Sequence, residues 1–198
     1  MHELPLQDGI KKIIEITKNL KKEKPVVLIG IAGGSGSGKG HVAKILSQKL
    51  KGKILSMDDY YLGIDKVKNG NFDSPKALDL KMLKEHLSCL KQGKAVKKPV
   101  YDFKIRKRIG FVRFEPSKVM ILEGLFALHK LLRNELDLKI WVEASEKTRL
   151  KRRIERDVKE RSRSKESVVA QWKTWVQPMF KKFVEPQKKH ADIIIINE

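Results

Sequence analysis

A chain of 198 residues with 44 Lys and Arg against 24 Asp and Glu carries a formal net charge of +20. The length suits one α/β domain with a sizeable core. The charge suits polyanionic partners such as nucleotides, phosphorylated metabolites or nucleic acid, and equally the Lys/Glu-rich surface of a heat-adapted protein. A single cysteine, Cys89, excludes an internal disulfide and fits a reducing cytoplasm, and no apolar run approaches the ~20 residues needed to span a bilayer.

The opening MHELPLQDG lacks a basic-then-apolar signal pattern, so a cytoplasmic location is expected. Leu6, Ile10, Ile13, Ile14, Thr17 and Leu20 recur at helical spacing and predict an amphipathic helix over 5 to 22. Pro25 introduces an apolar, β-branched run, Val26 to Ala32, that reads as a buried strand. It empties into Gly33, Gly34, Ser35, Gly36, Ser37, Gly38 and Lys39, which match the phosphate-binding pattern G-x-x-x-x-G-K. Glycines let the backbone turn its N–H groups around phosphate oxygens, and Lys39 brings a mobile charge to the β/γ-phosphates. A helix over 39 to 50, with Val42, Ile45, Leu46 and Leu50 inward, adds its positive dipole end.

The pattern asks for Ser or Thr after the lysine, to ligate Mg²⁺; here Gly40 stands there, followed by His41. A relaxed dinucleotide fingerprint, Gly38-x-Gly40-x-x-Ala43 with Asp58 ~20 residues on, also fits. Its first glycine, however, should close the strand directly, and Gly33 to Ser37 intervene.

A short strand, Lys53 to Met57, ends at Asp58-Asp59-Tyr60-Tyr61, and 62 to 78 reads as loop. Leu80, Leu83, Leu87 and Leu90 mark a helix closed by Gly93, with Cys89 at its core or boundary. Residues 96 to 115 suggest a projecting hairpin around Gly110. Val119 to Leu122 is a buried strand ending at Glu123-Gly124, and Lys139 to Val142 is another. Ser145 caps a helix with apolar positions Leu150, Ile154 and Val158; its other face carries Arg149, Arg152, Arg153 and Arg156, followed by Arg161 and Arg163. A long helix through Val169, Trp172, Val176, Phe180 and Phe183 should kink at Pro178, and Ile193 to Ile196 is the last strand. Strand and helix alternate. The expected fold is one α/β domain over 1–198, a three-layer sandwich of P-loop NTPase type. Its parallel sheet of about five strands has helices on both faces. The N-terminal helix (1–24), the hairpin (96–115) and an Arg-rich lid (149–165) complete it.

Asp58 and Glu123 each close a predicted strand. In an open parallel sheet that edge binds ligands, so both can face the phosphate loop. One can take an acceptor hydroxyl's proton while both hold Mg²⁺; the alternative is that they are ordinary loop solubilisers. The arginine cluster can close on a triphosphate through planar, bidentate guanidinium forks. It can equally be a solvated helix face paired with Glu155, Asp157 and Glu160.

Taken in order, the GGSGSGK loop, LSMDDYY, NFDSPKALD, the Pro99–Phe103 segment with its YDF, VMILEG, RLKRRIERDVKERSRS, VVAQWKTWVQPMF and EPQKKHADIIII resemble the uridine/cytidine kinase family, relatives of phosphoribulokinase. The resemblance covers about Val26 to Ile196 and overrides the dinucleotide reading. It implies ATP and Mg²⁺ as cofactors and a small-molecule acceptor. It implies Asp58 as the base for a 5′-hydroxyl and a metal contact, and Glu123 as the second metal partner. Asp73 would hold the ribose hydroxyls, with Gln171 near them. Tyr61, Tyr101 and Phe103 would line the nucleoside pocket. Arg153 and Arg163 would bridge substrate and phosphates, with Arg156 and Arg161 on the ATP side. A homo-oligomer is also implied; neither a membrane nor a nucleic acid is expected as partner.

The departures are Gly40 and Arg106, the latter in place of a histidine that reads the base edge in the family. A donor-only arginine can pair with O4 of uracil but not with the 4-amino group of cytosine, so uridine is expected to be preferred. The chain also stops at Glu198 where relatives commonly continue into another helix; the helix at 5 to 22 is expected to cover the apolar face left open. Besides uridine phosphorylation, two readings stand: a kinase of the same fold with another, acidic or phosphorylated alcohol as acceptor, and a catalytically decayed nucleotide-binding protein.

Overall fold

The strand β2 (Val27–Gly33) is buried along its whole length, the mark of a central strand covered on both faces. In the computed structural model, which describes residues 2–198, it lies between β6 (Val119–Glu123) and β7 (Leu138–Glu143), parallel to both. The short β3 (Lys53–Ser56) flanks β6, and β8 (Ile193–Ile196) flanks β7. A further strand, β1 (His2–Pro5), pairs with β8 over its whole length. The sheet therefore has six parallel strands in the order β1-β8-β7-β2-β6-β3, one more than the sequence suggested. Four residues ending in proline carry no readable alternation, and at a sheet edge the missing Pro N–H costs no ladder bond.

Alternate residues of the strands supply two cores. Leu28, Met120, Leu122, Trp141 and Ile194 pack on one face with Leu83 and Leu87 of α3 (Leu80–Lys91) and with Phe180 and Val184 from the last helical stretch. Ile29, Ile31, Ile121, Ile140, Ile193 and Ile195 pack on the other. There they meet Ile10 and Ile13 of α1 (Leu6–Glu23) and Val42 and Leu46 of α2 (Lys39–Leu50). Three layers result, and the C-terminal strand ends all open on one edge.

Three features stand off that edge. The strands β4 (Val96–Asp102) and β5 (Lys107–Phe114) form a separate antiparallel hairpin. The helix α4 (Glu146–Arg161) starts at Ser145, whose side chain accepts from Thr148 N. It ends at Ser162 in the left-handed region (φ 51°) before α5 (Lys165–Gln171). The facing of α4 corrects the sequence expectation: the side chains it buries are Arg149, Arg153 and Asp157, while Val158 is 45% exposed. The third feature is the helical run beyond α5, where a single kink at Pro178 was expected. Instead Trp172–Val176 and Phe180–Val184 widen into π-turns on either side of Gln177–Met179. A residue without an N–H interrupts the ladder, and the flanking wide turns absorb the gap.

Candidate active site

The loop between β2 and α2 is shaped by its neighbours. Gly36 and Gly38 sit at φ 81° and 90°, a region other residues avoid. A side chain on Gly36 would strike the Arg149 backbone, and one on Gly38 would strike Asn197. Asn197, just past β8, donates from Nδ2 to Ser37 O at 2.8 Å and so fixes the loop from outside. Ser35 Oγ accepts from Arg153 Nη1 at 2.8 Å, tying the loop to α4. Lys39 opens α2 with its ammonium 3.6 Å from Glu123 Oε1. His41 is exposed in the same first turn.

Strand register brings the carboxylates to the loop. Ser56 and Ile31 both stand opposite Glu123, so the ends of β3, β6 and β2 are level. Asp58 follows β3 in a single 3₁₀ turn, Met57–Tyr60, whose Ser56 cap accepts from Asp58 N. Burial pushes the Asp58 carboxyl above its ordinary range, against the pull of Lys39, Arg161 and Arg156. Burial also raises Glu123, opposed by Lys39, and the Asp58 charge adds to the rise. Among the described residues no three His, Cys, Asp or Glu side chains converge on a metal-sized point. Two mutually repelling carboxylates beside a phosphate cradle are nevertheless the protein donors Mg²⁺ takes when phosphates and water fill its other positions. Asp58 and Glu123 fit that ion.

The 3₁₀ turn is clamped by the hairpin. Arg108 donates from Nε to Tyr61 O (3.0 Å) and from Nη2 to Tyr60 O (2.9 Å), and its Nη1 lies 3.3 Å from Asp79 Oδ2. Lys98 pairs with Asp59. Behind the turn, Tyr60 Oη and His86 Nδ1 share a hydrogen bond at 2.8 Å, a partner for His86 that the sequence did not disclose. Phe72, Tyr61, Tyr101 and Phe103 then run as a chain of ring contacts, 5.6, 5.8 and 5.1 Å between successive centroids. Tyr101 Oη is buried without a hydrogen-bond partner. Asp73 is buried at the inner end of this wall, its carboxyl raised by burial and lowered by Arg153. Arg106 is exposed, with its guanidinium 5.9 Å from the Phe72 ring centre.

The Arg-rich stretch of α4 and the turn after it form a network centred on Asp157. Arg153, Arg156, Arg161 and Arg163 all lie within 3.6 Å of its carboxylate. Gln171 Oε1 accepts from Arg153 and Arg163, and the Arg161 guanidinium reaches over the Phe103 ring. Arg149 is different: it is 3% exposed and stacked 3.9 Å from the Phe180 ring centre, behind the phosphate loop. Contacts and charge coupling thus link Lys39, Asp58, Glu123, Asp73, Tyr61, Tyr101, Phe103, Gln171 and the four arginines around Asp157 into one cluster. Sequence reasoning missed Asn197 and the Lys98 and Arg108 clamps. The one available signal was that Asn197 ends a strand of the same sheet.

This combination of parallel sheet, glycine loop and arginine-rich helix is that of a P-loop kinase. The chain belongs to the phosphoribulokinase/uridine kinase family, whose model matches residues 28–197. A curated uridine kinase of Staphylococcus aureus is 44% identical over 182 residues, spanning 87% of this chain and 88% of the relative. Among solved structures, a possible uridine kinase from Bacillus stearothermophilus superposes with a TM-score of 0.70 at 20% identity, covering 96% of this chain and 98% of that one. A D-glycerate 3-kinase from Cryptococcus neoformans gives 0.64 at 17%, covering 92% and 89%. At those identities the two structures share the fold.

Proposed function

We propose that this protein transfers the γ-phosphoryl group of ATP to the 5′-hydroxyl of uridine, giving UMP and ADP. The observation that carries the reading is Asp58: a carboxylate raised by burial, set at a strand end beside Lys39 and Glu123. A raised pKa makes it a better proton acceptor for an alcohol. In this reading Asp58 takes the hydroxyl proton, and Lys39 with Arg153, Arg156 and Arg161 meets the charge spread over the transferring group. Asp58 and Glu123 would hold Mg²⁺, which neutralises phosphate charge. Asp73 accepts from adjacent ribose hydroxyls, with Gln171 beside them, and Tyr61, Tyr101 and Phe103 flank the base. Arg163 links the ribose side to the phosphate side. Arg106 donates to O4 of uracil. The name of the 44% identical relatives, uridine kinase, supports the same acceptor.

The test is ADP release from ATP and Mg²⁺ with uridine, cytidine, ribulose 5-phosphate, pantothenate or no acceptor. Uridine-dependent turnover is expected. Asp58→Asn should lower it about 10²–10⁴-fold, the usual contribution of a positioned base. Cytidine should turn over poorly and recover in Arg106→His. Turnover only with an acidic acceptor would transfer the Arg106 charge to that substrate and overturn uridine.

A further inference from the structure

The helix α4 turns a buried charged stripe, Arg149, Arg153 and Asp157, toward the phosphate loop. Arg153 is a cation near phosphate, which the proposed reaction explains, and Arg149 packs against Phe180 behind the loop. Asp157 is not explained: an anion, fully buried, among groups that should all attract a polyphosphate. We propose that Asp157 is the positioning residue of the lid, a single carboxylate that holds four guanidiniums in the arrangement the transferring phosphoryl group requires.

Its contacts divide the work. Oδ1 accepts from Arg156 Nε at 2.9 Å and Nη2 at 2.7 Å, and Arg161 Nη1 lies 3.5 Å away. Oδ2 faces Arg153 Nε at 3.5 Å and Arg163 Nη1 at 3.6 Å, too far for hydrogen bonds. The main-chain carbonyl of Asp157 accepts from Ser162 N and from Arg163 N (3.2 Å), so the same residue ends the helix and aims the chain that carries Arg163. Arg153 passes the constraint on, through Ser35 to the loop and through Gln171 to α5. Stability alone does not call for this. A buried ion cluster is often matched or bettered by apolar residues of the same volume, whereas removing one partner strands the others. Four long, flexible side chains of like charge, by contrast, need a common counter-charge to be held in one geometry before a ligand arrives. Preorganised charge of that kind is what lowers a phosphoryl-transfer barrier.

The inference rests on the reading that these arginines meet a triphosphate, and its test separates the two. Asp157→Asn keeps shape and removes charge. If Asp157 were only a counter-ion, the variant would carry one more net positive charge at the phosphates and bind ATP more tightly with kcat unchanged. As a positioning residue its loss should lower kcat about 10²-fold, the cost of one preorganised donor. The acceptor KM should stay within about threefold, and ATP affinity in direct titration should not rise. Arg156→Gln removes the nearest guanidinium, and the double variant restores the charge balance should Asp157→Asn alone fold poorly. Adding Asp157→Asn to Arg156→Gln should cost less than about a third of what it costs in the wild type, because both act through one geometry. Full additivity, or an unchanged kcat, overturns the proposal. If the wild type phosphorylates no acceptor, the proposed reaction falls. Asp157 is then judged by ATP titration alone, where equal or weaker binding in Asp157→Asn supports positioning and tighter binding overturns it.

Discussion

Helices α1 and α4 read alike in the sequence and differ in what they bury. Both carry an apolar stripe at helical spacing. The stripe of α1 goes inward: Ile13 is 0% exposed, in one cluster with Ile193, Ile195 and Ile29 of the sheet. That of α4 lies one residue away from the buried face; Arg149, Arg153 and Asp157 point in, and Val158 stays out. Hydrophobic periodicity identifies the inner face only when the neighbour is apolar. α1 covers a sheet of isoleucines, whereas α4 covers the glycine loop, where Ser35 Oγ accepts from Arg153 and polar atoms need polar partners.

The largest test removes α1. Deleting residues 1–22 uncovers Ile193 and Ile195 together with the face beneath them, and takes β1 from the sheet edge. The expected result is aggregation on expression, checked by size-exclusion chromatography; a soluble truncation of equal thermal stability would show that α1 is dispensable. A milder pair sharpens the contrast. Ile13→Ala should cost about 2–5 kcal/mol, the range for truncating a buried Ile. Val158→Ala should stay within about 0.5 kcal/mol, as exposed substitutions do. Equal losses in urea unfolding would mean that the Val158 stripe is covered after all.

The same distinction sorts what could be read in advance. The boundaries of α2, α3 and β8 were legible because their apolar positions face other apolar residues. The phosphate loop was legible from glycine spacing alone. Asp58 and Glu123 followed from their places at strand ends, whereas Asp73, Tyr61 and Gln171 were picked out only by family resemblance. What stayed hidden depends on partners distant in sequence. Lys98 meets Asp59 across 39 residues and Asn197 meets Ser37 across 160. No local pattern announces either, and nothing in the Arg-rich run distinguished Asp157 from Glu155 or Glu160.

Burial of charge on the loop side should also show in the pH dependence of stability. Asp58 has a folded-state pKa raised by burial, so between its ordinary value and the raised one the folded protein holds more protons than the unfolded chain. Stability without ligands therefore falls as pH rises through that window and stays lower above it. Asp58→Asn removes the effect. At pH 7–8 the variant should melt higher than the wild type. The gap should close toward pH 4. An equal or lower Tm at neutral pH would show that Lys39, Arg156 and Arg161 outweigh burial.

The smallest effect lies where an apolar face and a ligand face meet on one helix. α2 turns Val42 and Leu46 to the sheet and carries Gly40 in its first turn, at the loop. A Cβ at Gly40 would meet only Glu123 Oε1, at 3.9 Å, an ordinary contact. The missing hydroxyl is thus not excluded by crowding, and Gly40→Thr should fold normally. It would add an oxygen on the carboxylate side of the loop, beside Asp58 and Glu123, the metal partners of the proposed reaction. A threefold or greater fall in the Mg²⁺ concentration for half-maximal turnover is expected, with a parallel gain in Mn²⁺ affinity read by paramagnetic resonance. If neither changes, the ion sits out of reach of α2, and its protein contacts are confined to the ends of β3 and β6.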